Sequence, residues 1–288
     1  MDPATRKEET VAVLDIGCTK IAAGLGRLRK TGIGEILGFW MDGPLPEAEG
    51  PRKLVAAGTA ILQLLDQLEA ETGWIVQTLW LTRSGTIITD PVSTELRELE
   101  DFLAAHQITL KEFVPPGVAV APVMWRETAL EQLLLDIGEC FTDYAFLRRG
   151  EIVASGSVPL AGRLVTDYIA EGLGIPVDTA ETLKRAMPDA AGKTTVTVDQ
   201  LVVEAAQTIF RVVARDLDCR GIGVGKETEI AITGGGSKLR KLAETARGTW
   251  NGPVSMTPSG AGIYDTHLSN CPEFAGVFGL LKRALGSL

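Results

Sequence analysis

The chain has 288 residues, more than one domain usually contains, which predicts two domains or one large duplicated unit. Hydrophobic residues make up 45% and charged residues 23%, which excludes a disordered or low-complexity chain. The formal net charge of -9, with no dense cluster of Lys or Arg, argues against a nucleic-acid partner.

Cysteines and apolar stretches indicate the compartment. The cysteines lie far apart without a C-x-x-C pair and histidines are rare, which argues against a zinc site or a disulfide framework and favours a reducing compartment. No apolar stretch approaches the roughly 20 residues of a spanning helix, and the polar N-terminus lacks the apolar core of a signal peptide. We therefore expect a cytoplasmic protein without a membrane segment of its own.

The first predicted elements form a meander of three strands. An apolar run over residues 11–14 ends in Asp15-Ile16-Gly17, and strands are predicted over 21–25 and 35–40. Apolar spacing and turn residues then predict a helix over 52–72, a strand over 76–81 and a helix over 94–106. Strands alternating with helices predict a sheet covered by helices.

The same meander recurs about 120 residues later. The run 133–138 ends in Asp136-Ile137-Gly138, and strands are predicted over 144–147 and 151–158. Helices over 163–173, 179–186 and 198–218 follow, then a strand over 229–233, three glycines and a helix over 238–247. This long repeat predicts two facing domains with a cleft between them, one formed by 1–130 plus 270–288 and the other by 131–269.

The two Asp-Ile-Gly turns suggest a phosphate site. A tight turn presents successive backbone N–H groups, and glycine lets a phosphate approach them closely. Asp15 and Asp136, at the strand ends, are suited to hold a hydrated Mg²⁺, and Lys20 can reach a phosphate oxygen. The alternative is that Asp and Gly are ordinary turn residues at both strand ends.

Two further segments carry candidate ligand contacts. The three glycines 234–236, between a strand and a helix, let backbone approach a ligand, although close packing of strand and helix explains them equally well. Glu181 and Lys184 share a helical face near the cleft and can touch a ribose or base. Asp178 and Glu181 also match a capping box, and both roles stay open.

These motifs, in this order, resemble the actin, Hsp70 and sugar-kinase superfamily and, within it, the bacterial cell-division FtsA family. Residues 15–20 are similar to the phosphate-1 loop, 136–143 to the phosphate-2 loop and 232–239 to the adenosine motif. Residues 159–184 are similar to the segment that joins phosphate 2 to the adenosine contacts, and 252–281 to the closing helix.

The resemblance implies an α/β fold of duplicated actin-like (ribonuclease H-like) domains, each with a mixed five-stranded sheet and helices, around a nucleotide cleft. It implies ATP or ADP with Mg²⁺ as the ligand, and Mg²⁺ held through water by Asp15 and Asp136. The nucleotide contacts that it implies are Asp15, Gly17, Cys18, Thr19, Lys20, Asp136, Gly138, Thr142, Gly162, Glu181, Lys184, Gly234, Gly235 and Gly236.

The sequence departs from the family at several places. Glu139 and Phe141 replace small residues in the second loop, and a carboxylate beside a polyphosphate is unfavourable without a cation. The Glu that orients the attacking water corresponds to Pro115, so we expect at most a weak ATPase and name no catalytic residue.

The interval between residues 73 and 133 predicts that the extra subdomain of FtsA is shortened or absent. No counterpart of its C-terminal membrane helix precedes Leu288, so membrane targeting is expected to be lost.

Cys18 and Cys140 occur in the two phosphate-loop turns. They are either small buried residues or a pair that approaches across an empty cleft and responds to oxidation.

Three functions remain open at this point. The first is an actin-like scaffold in cell division or filament assembly that binds ATP or ADP, associates with itself or another assembly protein, and reaches a membrane only through a partner. The second is an adaptor or chaperone-like assembly protein similar to PilM or EutJ, without filament function. The third is a small-molecule kinase, for which no Asp stands out as the base.

Overall fold

The computed structural model describes residues 9–29, 34–43, 53–85, 94–186, 193–256 and 271–287. In these ranges the chain forms two five-stranded sheets with strand orders β3-β2-β1-β4-β5 and β10-β9-β6-β7-β8. The strands are β1 (Glu9–Ile16), β2 (Ile21–Leu28), β3 (Gly34–Asp42), β4 (Thr78–Arg83), β5 (Thr109–Phe113), β6 (Glu131–Ile137), β7 (Thr142–Arg148), β8 (Glu151–Val158), β9 (Glu229–Thr233) and β10 (Val254–Ser255).

The two sheets have the same topology. In each, an antiparallel meander of three strands is extended by two parallel strands on the side of its first strand. The helices are α1 (Lys53–Thr72), α2 (Thr94–Ala105), α3 (Pro116–Ala119), α4 (Ala121–Met124), α5 (Gly162–Leu173), α6 (Val177–Arg185), α7 (Lys193–Cys219), α8 (Leu242–Trp250) and α9 (Ala275–Ser287). The duplication and the mixed five-stranded sheets predicted from the sequence are therefore confirmed.

Side chains alternate between the two faces of each sheet, and both faces of both sheets are covered. The fold therefore has five layers: α1 and α2, the first sheet, the central helices α3, α4 and α9, the second sheet, and α5 to α8. On β1, Leu14 faces the core beneath α1 and α2, whereas Val13 faces a central core that also contains α3, α4 and α9. On β6, Leu134 faces the same central core, and Leu135 faces the core beneath α5 to α8. Because side chains alternate between faces along a strand, Asp15 and Asp136 lie on the two inner faces.

The central layer joins the two sheets. Helix α9 packs on β1 and β2, and the short helix α3 contacts β7 and β8 of the second sheet. The contact between these helices is close, since a Cβ on Gly279 would lie 1.8 Å from the Ala119 carbonyl oxygen. Segments far apart in sequence therefore fix the distance between the inner faces.

The structure corrects several sequence-based boundaries. The strand predicted over 76–81 runs from Thr78 to Arg83. The helix predicted over 238–247 begins at Leu242, after a 3-10 turn over Gly235–Lys238 and a left-handed Lys241 with φ 62°. β5, β10, α3 and α4 were not predicted, because they have two to five residues, too few for a periodic pattern.

The segment between β4 and α2 is short. Residues 84–93 are all that separate the two elements in sequence. The described ranges also contain no helix that is long and apolar enough to cross a membrane.

We expect Gly279→Ala to destabilise the protein, because its methyl group has no space against the Ala119 carbonyl. The cost should be about 2 to 3 kcal/mol, as for other overpacked sites. Gly286→Ala is the matched control in the same helix: its Cβ meets nothing within 4 Å, and replacing a helical glycine should stabilise by about 0.5 kcal/mol. Urea unfolding measures both, and equal effects of the two changes would contradict the close packing of α9.

Candidate functional site

The glycine turns of the two sheets converge on adjoining cavities. The larger has a volume of about 450 Å³ and the smaller about 50 Å³. Of the predicted contacts, all except Thr142 line one or both. The larger is lined by Thr19, Lys20, Gly138, Gly162, Glu181, Lys184, Gly235 and Gly236, and the smaller by Asp15, Gly17, Cys18, Thr19, Lys20, Asp136, Gly138, Gly234 and Gly235.

The first turn joins β1 to β2. The Gly17 N–H donates to the Lys20 carbonyl at 2.9 Å, which closes the turn. The Lys20 ammonium donates to the Glu273 carbonyl at 3.2 Å, and both residues line the two cavities. Burial lowers the pKa of Lys20, while the nearby Asp15 and Glu273 carboxylates oppose that shift. A half-buried ammonium that donates to a carbonyl is well placed to bind an anion as well.

The second turn has the same backbone geometry but different side chains. The Gly138 N–H donates to the Phe141 carbonyl at 2.9 Å, matching the first turn. The Phe141 ring packs against Gly85 at the end of β4 and occupies part of the smaller cavity's wall. Thr142 is fully buried and donates to the Leu160 carbonyl at 2.7 Å, so its hydroxyl holds the loop instead of facing either cavity.

Three carboxyl groups, those of Asp15, Asp136 and Asp143, are close enough to influence one another's ionisation. Burial raises the pKa of Asp15 to about 7 and that of Asp143 to about 6. Burial, and then the charges of Asp15 and Asp143, raise the pKa of Asp136 well above its usual value. Such groups lack enough positive charge nearby to stabilise their ionised forms. A hydrated divalent cation would supply it, so this donor set fits Mg²⁺ held through water.

Among the described residues, these carboxylates do not form a site that would bind a metal ion directly. Within the described residues, no group of three or more His, Cys, Asp or Glu side chains is arranged to hold a metal ion. Asp143 accepts a hydrogen bond from the Gly85 N–H at 3.2 Å, which ties the second sheet to the end of β4. Asp143 on β7 therefore connects the second sheet to the residues that follow β4 of the first sheet.

The glycines after β9 are required by close contacts. Gly234 has φ 79°, and a Cβ there would lie 2.2 Å from the Asp136 carboxylate. A Cβ on Gly236 would lie 2.5 Å from the Ile137 side chain, whereas Gly235 faces open space in both cavities. Gly234 and Gly236 are therefore needed for tight packing, whereas Gly235 leaves space that a ligand can enter.

A charged network closes the far side of the larger cavity. The Lys184 ammonium lies 2.6 Å from Glu181 and 3.3 Å from Glu139, and it donates to the Gly162 carbonyl at 3.0 Å. Burial alone would raise the pKa of Glu181, but hydrogen bonds from Lys184, Thr166 and Arg185 hold it at about 2. Glu139 thus faces the cleft, with its charge countered by Lys184.

The capping box proposed for α6 is wrong. The helix begins two residues earlier, with Pro176 as its N-cap and no side-chain cap, so Asp178 lies inside the first turn. Glu181 instead bonds to Thr166 on α5 at 2.6 Å. Of the two roles left open for Glu181, the cavity wall is the one that the geometry favours.

Other residues at the site were not predicted. Glu273 lines both cavities and pairs with Lys238, and Met41 and Leu239 line the larger one. They come from β3, from the turn after β9 and from the start of the C-terminal segment. No local sequence pattern marks them, because folding alone brings these segments together.

Solved structures with the same fold define the class of this protein. The structure of the ethanolamine utilization protein EutJ from Carboxydothermus hydrogenoformans matches with a TM-score of 0.66 and 17% identity, over 98% of this chain and 91% of that one. The PilM–PilN type IV pilus biogenesis complex matches with 0.67 and 18% identity, over 96% and 98%. MreB5 of Spiroplasma citri bound to ADP matches with 0.64 and 15% identity, over 97% and 99%. The fold is that of the actin-like ATPases.

The family follows from the sequence. The family model for cell division protein FtsA matches residues 133–279, which is half of the chain, and the chain belongs to the FtsA family. FtsA of Staphylococcus epidermidis is 48% identical over 58 residues. That stretch is 20% of this chain and only 12% of the length of that relative.

We expect the stability of the nucleotide-free protein to fall as the pH rises from about 4 to about 7. Asp15 binds its proton more tightly when folded, because its pKa rises from 3.8 to about 7. Stability from this group is present below the lower value and is lost as the pH passes the higher one. In Asp15→Asn, the fall should be smaller by about 2 kcal/mol, a discounted figure because the cleft admits some solvent.

Chemical denaturation in magnesium-free buffer at a series of pH values measures this difference. Asp101→Asn, an exposed carboxyl on α2, is the control and should keep the wild-type pH dependence. Identical curves for wild type and Asp15→Asn would show that Asp15 is not the buried acid described.

Proposed function

We propose that this protein binds ATP or ADP with Mg²⁺ in the cleft between its two sheets, and that it acts as a scaffold in cell division or filament assembly. The observation that carries the proposal is the convergence of both glycine turns and the stretch 234–236 on adjoining cavities. The MreB5 structure of the same fold contains ADP. Backbone N–H groups in such turns bind phosphate without side-chain charge.

We assign each part of the nucleotide from the residues that line the two cavities. The phosphates belong near Lys20 and the two turns, because the N–H groups and the ammonium are there. The ribose and base belong in the larger cavity, between the Glu181–Lys184 network and Leu239. Bound Mg²⁺ would neutralise phosphate charge, with Asp15 and Asp136 accepting hydrogen bonds from its water ligands.

We propose that hydrolysis is slow or absent. Pro115, where the family carries a water-orienting Glu, is the N-cap of α3 and lines neither cavity. A proline can neither accept nor donate the proton that water attack requires. Glu139 adds a carboxylate to the phosphate side, which further disfavours charge build-up there.

The cellular setting is part of the same proposal. All four cysteines are free thiols, which supports the cytoplasm as the compartment. Its partners would be a second copy of itself or another assembly protein, and a membrane would be reached through such a partner. The division into 1–130 plus 270–288 and 131–269 remains a prediction.

A second candidate is an adaptor without filament function. It is favoured by the match of nearly the whole chain to EutJ and to the PilM–PilN complex, together with the short 84–93 connection. Electron microscopy of the protein with ATP and Mg²⁺ separates the two candidates, since filaments support the cytoskeletal one.

We expect Lys20→Ala to weaken ATP binding about tenfold, because a charge-assisted hydrogen bond to phosphate contributes about 1.5 kcal/mol or more. Equilibrium titration with fluorescent ATP and ADP measures the effect, and thermal unfolding confirms that the variant is folded. Lys226→Ala is the control, since its side chain is 80% exposed and pairs with the adjacent Glu227. Absence of binding by the wild type contradicts nucleotide binding, and rapid phosphate release contradicts slow hydrolysis.

We expect Glu139→Gln to tighten ATP binding by up to about tenfold, because it removes a negative charge beside the phosphates. The gain should be larger for ATP than for ADP, and Lys184 keeps Glu181 as a partner in the variant. The control is Glu227→Gln, whose side chain is 88% exposed. Unchanged or weaker binding by Glu139→Gln would mean that its carboxylate does not oppose the phosphates.

A further inference from the structure

The two phosphate-loop turns each carry a cysteine, and the two cysteines meet. Cys18 follows Gly17 in the first turn, and Cys140 precedes Phe141 in the second. Both line the smaller cavity. The Cys140 side chain is close enough to the Cys18 thiol to raise its pKa, so the two thiols are neighbours in the wall of this cavity. The alternative that both are buried core residues fails, because Cys18 is exposed and Cys140 is partly exposed.

This contact crosses between the two sheets. Cys18 lies between β1 and β2 of the first sheet, and Cys140 between β6 and β7 of the second. Two sulfur atoms do not form a metal site on their own, and the described residues contain no larger group of metal ligands around them. Two neighbouring thiols that line one cavity, are open to solvent and are held by short turns can form a disulfide once their sulfur atoms approach each other.

We propose that Cys18 and Cys140 form a reversible disulfide that links the two sheets and closes the smaller cavity. The sulfur atoms would approach to about 2.05 Å, which requires the two turns to move toward each other across the smaller cavity. The consequence for ligands rests on the proposed function: the bond would lie between the turns where phosphates are expected, so the oxidised protein would exclude nucleotide.

The reaction is exchange with a low-molecular-weight disulfide such as oxidised glutathione. One cysteine thiolate attacks the external disulfide and releases one small thiol, which leaves a mixed disulfide. The second cysteine thiolate then attacks that mixed disulfide at the protein sulfur and releases the second small thiol. The two cysteine sulfurs lose two electrons, the external disulfide gains them, and the two cysteine protons end on the released thiols.

The surroundings of Cys18 set the rate of this exchange. Burial, and then the neighbouring Cys140, raise the pKa of Cys18 to about 12, so little of its thiolate is present at neutral pH. Closure should therefore be slow at pH 7 and faster at pH 9.

Mass spectrometry tests the bond directly. The full chain is equilibrated in glutathione buffers of different oxidised-to-reduced ratios, quenched with an alkylating reagent and digested. In wild type and in the control Cys219→Ser, we expect a peptide that joins Cys18 to Cys140, reversed by reductant. Cys18→Ser and Cys140→Ser should lack it. Failure to find this peptide at the most oxidising ratio, or protection of other thiols instead, overturns the proposal.

Nucleotide titration tests closure. With nine-tenths of the protein oxidised, the fraction of the protein that binds fluorescent ATP should fall to about one-tenth and recover on reduction, while binding by Cys18→Ser should not respond to the glutathione ratio. Equal affinity of the oxidised and reduced wild type overturns closure. If the reduced wild type binds no nucleotide, the proposed function fails, and the cross-linked peptide still decides whether the disulfide forms.

Discussion

Two neighbouring carboxyl groups in the cleft connect its two sides. Asp15 and Asp136 end the first strands of their sheets and point inward, where burial disfavours their ionised forms. Each is covered by glycine backbone: a Cβ on Gly276 would lie 2.3 Å from the Asp15 carboxylate, as one on Gly234 would lie 2.2 Å from Asp136. The start of α9 and the end of β9 are thus tied to the same pair of acids.

The two Asp-Ile-Gly turns have the same backbone geometry but different side chains. Both turns close with the same 2.9 Å hydrogen bond. The first leaves room beside Lys20, whereas the second carries Glu139 and the ring of Phe141. Lys184 counters the Glu139 charge, which makes the larger cavity the better-compensated part of the cleft. A protein that senses or retains nucleotide fits this asymmetry better than one that turns it over.

Sequence reasoning succeeded where the signal is local. The meanders, α1, α5 and α7 follow from alternation and helical periodicity, and both Asp-Ile-Gly turns follow from their repetition. It failed for β5 and β10, which depend on pairing with neighbours, and for the start of α8, where Lys241 adopts a left-handed conformation. The FtsA resemblance correctly implied the family and the fold.

The cleft itself could be predicted only in part. The glycines and acids were identified because their spacing is distinctive, but the partner of Glu139 was not, since Lys184 lies 45 residues away in sequence. Glu273 and Met41 reach the cavities from opposite ends of the chain. The contact between Cys18 and Cys140 was raised as one of two alternatives, and only the packing of the two sheets decides between them.

The central claim is that one ligand occupies the space between the two sheets and touches both turns. Hydrogen exchange measured by mass spectrometry, with and without ATP and Mg²⁺, tests it most directly, because bound phosphates take up the turn amides. The account predicts slower exchange in 17–20, in 138–141 and in 234–236 together, with no change in the outer strand β8. Protection confined to one sheet, or none in any of the three segments, would contradict it.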